Sequence, residues 1–284
     1  GRPMGIQQER AALLDLITQA AEAGAAVIRE GASRLGTIDW QSKGPGDFVS
    51  EVDLRTEAVI LARLRPALPG VTILAEESAS GVGEEARRGR CVVIDPLDGT
   101  TNFLHGFPEY AVSIGVLDDG APVAAVVLHV PRNERFTATA GGGAFIGERP
   151  CRVSTIADPQ RALIASGFPA KDPHDLPLYQ LQLARVISGV PDVRRAGAAS
   201  LDLANVAAGR FEAFWEAKLA PWDFAAGMLL VTEAGGLVST VDGDPLDPTQ
   251  PSSVLAGNPV LHPWLRERLH DPLHSPTPVV PPPA

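Results

Sequence analysis

The sequence predicts a mixed protein, an α+β N-terminal part followed by an α/β C-terminal part, on three observations. Helical spacing opens the chain, strand and turn signals fill 110–153, and beyond about residue 155 helical segments alternate with short apolar runs. The predicted parts are residues 1–155, residues 156–270 and a Pro-rich mobile tail at 271–284. A chain of 284 residues with 45% hydrophobic content has enough apolar side chain to bury a sizeable core.

Leu13, Ile17, Ala20, Gly24 and Val27 recur at steps of three and four, which predicts a helix over 7–29 that Gly31 ends. Ser50-x-x-Asp53 has the pattern of a capping box. It opens a second helix with Leu54, Ala58, Leu61 and Leu64 on its inner face and Pro66 as its stop. The apolar runs 71–75 and 91–94 predict buried strands. Asp118-Asp119-Gly120 is a hairpin signal, and the glycines at 141–143 mark another turn. Helices are predicted over 178–188, over 200–208 with Ser200 as cap and Gly209 as stop, and over 222–233 closed by Gly235-Gly236. Strands fit between them at 193–195, 211–216, 236–241 and 254–256.

Charge and cysteine usage exclude several classes. The net charge is −10 and the isoelectric point near 5.1, a poor footprint for nucleic-acid binding or for docking on an anionic membrane. No apolar run reaches the length of a bilayer span, and no signal-peptide succession opens the chain. Two cysteines, Cys91 and Cys151, fit a reducing compartment, so the expectation is a cytoplasmic protein with no nucleic-acid or membrane partner.

The chemistry is expected where acids follow buried runs. The strand at 71–75 leads into Glu76-Glu77, and that at 91–94 into Asp95-Pro96-Leu97-Asp98-Gly99-Thr100-Thr101. Pro96 cannot donate to a ladder, so the chain is expected to leave the sheet there. Asp95 and Asp98 can then converge, with the Leu97 carbonyl as a third oxygen between them. Hard cations such as Mg²⁺ take oxygen ligands of this kind. Gly99 permits a close backbone approach, and Thr100-Thr101 opens a helical turn whose free N–H groups bind an anion. Residues 91–131 contain no Lys or Arg. Acids alone would repel a phosphate, and divalent cations reverse that sign. Asp118 and Asp119 read as turn residues, His105 as a bonded loop residue, and Cys91 as a small buried hydrophobe. Lys43 and Asp47 lie in a Gly/Pro loop, and Lys43 reads equally as a solvated lysine and as a site residue. That loop and 80–90 are candidate mobile segments over the site.

Glu76-Glu77-Ser78, the nine residues from Asp95 to Phe103, and Pro221-Trp222-Asp223-Phe224-Ala225-Ala226-Gly227 together resemble the three motifs of the inositol monophosphatase family, and the likeness covers about 7–269. The resemblance implies a layered αβαβα sandwich of the sugar-phosphatase type, usually a homodimer. The implied activity is magnesium-dependent, lithium-sensitive phosphomonoester hydrolysis with two or three ions per site. Glu76, Asp95 and the Leu97 carbonyl would hold one metal, and Asp95, Asp98 and Asp223 a second, with Asp95 bridging. Thr100, bonded to Asp53, would orient the attacking water, and the Gly99 and Thr100 amides would hold the phosphate. Ala199 and Glu216, with Asp98 and Asp223, fall where the family contacts the phosphorylated polyol. The implied substrate is myo-inositol 1-phosphate. Fructose 1,6-bisphosphate, 3′-phosphoadenosine 5′-phosphate and histidinol phosphate are rivals, although relatives acting on the last two often carry a basic residue where this chain has Thr101. A rival of another class is a non-catalytic regulatory module, which would have no need to keep Asp53, Glu76, Asp95, Asp98, Thr100 and Asp223 together.

Overall fold

The computed structural model describes residues 3–78 and 83–270, and its layers run helix, sheet, helix, sheet, helix. The tail predicted at 271–284 lies outside the described residues, as do 80–82 of the segment 80–90. The outermost layer pairs α1 (Ile6–Ala32) with α2 (Glu51–Ala67). They are joined through a hairpin of β1 (Trp40–Gly44) and β2 (Asp47–Ser50), where the sequence predicts only a loop. α1 runs past Gly31, whose missing side chain admits Val52 of α2. The expectation that no apolar run is long enough for a bilayer is corrected here: by length and composition α1 is long and apolar enough. Its apolar side, with Ile17, Ala20, Ala21 and Ile28 buried, packs against α2 and the large sheet as a core helix does.

The large sheet has seven strands in sequential order: β3 (Thr72–Ala75), β4 (Arg90–Asp98), β5 (Ala111–Asp118), β6 (Ala121–His129), β7 (Glu134–Thr139), β8 (Gly143–Ile146) and β9 (Arg149–Pro150). Two short helices, α3 (Gly83–Ala86) and α4 (Thr100–Leu104), flank β4. β3 and β4 are parallel, and every later pair is antiparallel. The β5–β6 hairpin turns through Asp119 and Gly120 at φ 48° and 81°, both left-handed, as its Asp-Gly signal requires. β4 does not leave the sheet at Pro96. Its pairing shifts between Asp95 and Asp98, an irregularity that tolerates a residue without an N–H, and resumes with Asp98 opposite Ala111.

The second sheet has the order β11 (Asp192–Arg194), β10 (Leu163–Ser166), β12 (Ala213–Leu219), β14 (Ser252–Gly257), β13 (Leu237–Ser239). Between the sheets lie α6 (Ala199–Ala207) and α7 (Pro221–Glu233), with Leu201, Leu203, Phe224 and Leu230 fully buried in the central core. α5 (Leu176–Ile187) and α8 (Leu261–Leu269) cover the far face, where Trp215, Tyr179 and Leu265 form a further core. β10 and α8 carry no prediction from the sequence, because each is brief and its apolar spacing fits helix and strand alike.

Candidate active site

Three chain segments deliver the acids. The Glu76 N–H donates to the Ile94 carbonyl at 3.1 Å, so the parallel β3–β4 pair sets Glu76 beside Asp95. The pairing shift in β4 leaves Asp95 and Asp98 either side of Leu97. Asp223 enters from the first turn of α7, where its Oδ2 accepts the Ala220 N–H at 2.9 Å as a capping residue. Asp95, Asp98 and Asp223 each present a carboxylate oxygen within 4.8 Å of the other two. At an effective dielectric of about 20, two full charges that close repel by roughly 3–4 kcal/mol.

Electrostatics record that repulsion. Burial first, then Glu76, Asp98 and Asp223, pushes the Asp95 carboxyl well above its ordinary range. Asp98 is raised by burial to about 6, against the opposing bonds from Ser200. Burial and the neighbouring Asp98 and Glu76 lift Asp223 to about 8. The Asp95 Oδ1 is buried and has no hydrogen-bond partner among the described residues. Three carboxylates this close together, one of them with an orphaned buried oxygen, are a donor set suited to a hard divalent cation, so these residues fit the metal that the motifs imply.

The remaining expected residues gather around this hollow. Asp53, fully buried, accepts the Thr100 hydroxyl at 2.7 Å on Oδ1, while the Ser50 N–H and hydroxyl hold Oδ2. Burial raises the Asp53 pKa against those bonds. Thr100 Oγ1 also lies 3.2 Å from the Leu97 carbonyl, which places that oxygen at the turn. Gly99 has φ 92°, and a Cβ there would fall 2.8 Å from the Glu109 carbonyl oxygen, so only glycine fits. Ala199 begins α6, and Glu216 on β12 is raised to about 8 by burial and then by Asp223, with Arg195 opposing. Ser200 is not the cap of its helix. α6 starts one residue earlier, and the Ser200 N–H and hydroxyl go instead to Asp98 Oδ2.

Two exposed lysines reach acids at the rim of the hollow, which the motif segment leaves without base. Lys43 Nζ stands 3.6 Å from Glu76, 3.3 Å from Glu77 and 3.9 Å from Asp47, so it pairs with acids beside the site while remaining open to solvent. Burial works against its charge, yet Glu76, Glu77 and Asp47 together hold its pKa above the usual value. Glu76 thus faces Lys43 and stands outside the 4.8 Å group. Lys171 pairs with Asp47 at 3.2 Å and is held charged by Asp47, Asp223 and Glu76 against its desolvation. The sequence gives no local signal for Lys171; its place follows from Gly46 packing on Ala170. His105 Nδ1 meets the Thr101 carbonyl at 2.8 Å, and Asp118 and Asp119 bond Arg90 and the Gly89 N–H, all as expected.

The model of the inositol monophosphatase family matches residues 9–274. The inositol-1-monophosphatase of Mesorhizobium japonicum is 41% identical over 267 residues, 94% of this chain and 99% of that one. The Nus factor SuhB of Pseudomonas aeruginosa is 45% identical over 233 residues, 81% of this chain and 86% of that one. Among solved structures, the extragenic suppressor protein suhB from Bartonella henselae matches with a TM-score of 0.85 at 38% identity, covering 92% of this chain and 99% of that chain. Fold and site are thus those of a metal-dependent phosphatase family with an acidic triad able to hold metal. The chain belongs to the inositol monophosphatase family.

Proposed function

We propose that the protein hydrolyses a small phosphorylated polyol, myo-inositol 1-phosphate foremost, in a Mg²⁺-dependent reaction. The observation that carries this reading is the close triad of Asp95, Asp98 and Asp223, in which the buried Asp95 Oδ1 has no partner among the described residues, next to the Thr100–Asp53 pair. Glu76, Asp95 and the Leu97 carbonyl, then Asp95, Asp98 and Asp223, are the proposed metal ligands. Divalent cations bound there supply Lewis-acid activation of water and neutralise charge on the phosphate and the leaving oxygen.

The protein's own residues do the rest. Ser50 fixes Asp53, and Asp53 accepts the hydrogen bond from the Thr100 hydroxyl, which leaves the Thr100 oxygen's lone pairs free to accept from the attacking water and aim it. The Gly99 and Thr100 amides, at the open first turn of α4, hold the phosphate. Ala199 and Glu216 border the polyol. Two or three ions per site, inhibition by lithium, a homodimer and a cytoplasmic location belong to the same reading.

The test is hydrolysis of inositol 1-phosphate by the purified protein with Mg²⁺ and after EDTA, beside the three rival esters. Asp95→Asn is expected to fold and to lose at least about a hundredfold in kcat, since it removes the shared ligand. Turnover that survives EDTA, or an Asp95→Asn enzyme keeping more than about a tenth of kcat, contradicts the reading. The relatives named Nus factor keep the regulatory module as the second reading, and absence of turnover on every ester would favour it.

A further inference from the structure

Asn102 belongs to the central motif, yet nothing in the proposed chemistry uses it. Its side chain reaches two backbone carbonyls from separate parts of the chain. Nδ2 donates to the Glu109 oxygen at 2.8 Å and to the Ala196 oxygen at 2.9 Å. Both partners are acceptors only, so the amide must turn its NH₂ to them, and neither Asp nor Leu can replace it.

Ala196 lies where β11 has ended and α6 has not begun, in a stretch that belongs to neither element. Gly197 beside it has φ 94°, and a Cβ there would meet Asn102 Nδ2 at 2.9 Å and Arg195 Nη1 at 3.0 Å. The same stretch is fastened again at its other end, where the Ser200 N–H donates to Asp98 at 2.8 Å. Residues 196–200, which border the polyol end of the hollow, thus hang from the β4–α4 turn at two points. One point is a proposed metal ligand and the other is Asn102. On the Glu109 side, backbone bonds from Phe107 N to the Asn102 oxygen and from Glu109 N to the Phe107 oxygen, each 2.8 Å, support the turn independently.

We infer that Asn102 is a positioning residue that carries the polyol-facing segment 196–200 on the phosphate-holding turn, and so sets how the alcohol part of the substrate is gripped. The inference rests on the phosphatase reading for its kinetic consequence but not for its structural one. Two full-length variants test it: Asn102→Ala, and the isosteric Asn102→Asp, which keeps the volume and removes both donors.

With Mg²⁺ present, KM for inositol 1-phosphate should rise about tenfold, the worth of one hydrogen bond, with kcat within about threefold. With p-nitrophenyl phosphate, which has no polyol to grip, kcat/KM should fall by less than about threefold. Hydrogen exchange without substrate should quicken in 195–201 and stay as in the wild type in β5 and β6. Equal losses on both esters, or unchanged exchange in 195–201, overturn the inference. So does loss of protection throughout the chain in both variants, since Asn102 would then hold the fold and not the segment. A wild-type protein that turns over neither ester defeats the phosphatase reading, while the exchange comparison still decides the tether.

Discussion

Thr100 is bound on one side and free to act on the other. Its hydroxyl proton is committed to Asp53, whose second oxygen is committed to Ser50, so the lone pairs of Thr100 point along a fixed direction. Thr100→Ala should therefore depress kcat by about 10²-fold, within the usual range for a lost proton-handling group, and leave Mg²⁺ affinity near the wild-type value by calorimetry. A variant in which only KM moves would make Thr100 a binding residue. Glu76, Asp95, Asp98 and Asp53 were legible in the sequence because each sits at a fixed offset from a buried run or in a capping pattern, as with Asp95 after Ile94 and Asp53 three residues after Ser50, whereas Asp223 was marked only by the motif resemblance. Lys43 and Lys171 were not legible, since their places depend on how a hairpin docks, and no local spacing encodes that.

The same divide runs through the elements. Helix stops and hairpin turns with Gly or Asp-Gly were readable to within a few residues, while the inner face of α2 was not. Its buried side carries Val52, Asp53, Thr56, Glu57, Ile60, Leu61 and Leu64, and Leu54 and Ala58 face outward. The apolar periodicity misleads because two acids occupy the inward stripe: Asp53 meets Thr100, and Glu57 accepts the Glu77 N–H at 3.0 Å. Between the sheets, Gly227 of α7 lets Leu203 of α6 come so close that a Cβ would lie 2.6 Å from its Cβ and Cδ1. The contact is backbone-near and cannot be relieved by turning a side chain. Gly227→Ala should cost about 1–3 kcal/mol of stability by urea denaturation and, by separating α6 from α7, weaken turnover as well. An Ala variant as stable as the wild type would show that the two helices can part without strain.

Across the whole molecule, the hollow makes the metal-free protein sensitive to pH. In the unfolded chain carboxyls lose their protons near pH 4. In the fold Asp98 keeps its proton to about 6, Glu77 to about 7, and Glu216 and Asp223 to about 8, each chiefly because burial disfavours the charge. Asp202, buried on α6 with Oδ1 unpartnered among the described residues, is raised for the same reason. Between those limits the folded state binds more protons than the unfolded one, so stability declines as pH rises. With EDTA, Tm should drop between pH 6 and pH 8, and Mg²⁺ should restore more of it at pH 8, where protons no longer compete. A flat or rising Tm over that interval would count against the burial of these groups.

α7 closes this hollow from the far side, and its Asp223 is specified long after Asp95 and Asp98 in the chain. During synthesis the first sheet can emerge while the last acid is still inside the ribosome. A message cut short before that helix yields a chain without one of the five proposed ligands and without the helix that packs between the sheets, so premature termination leaves no complete site behind.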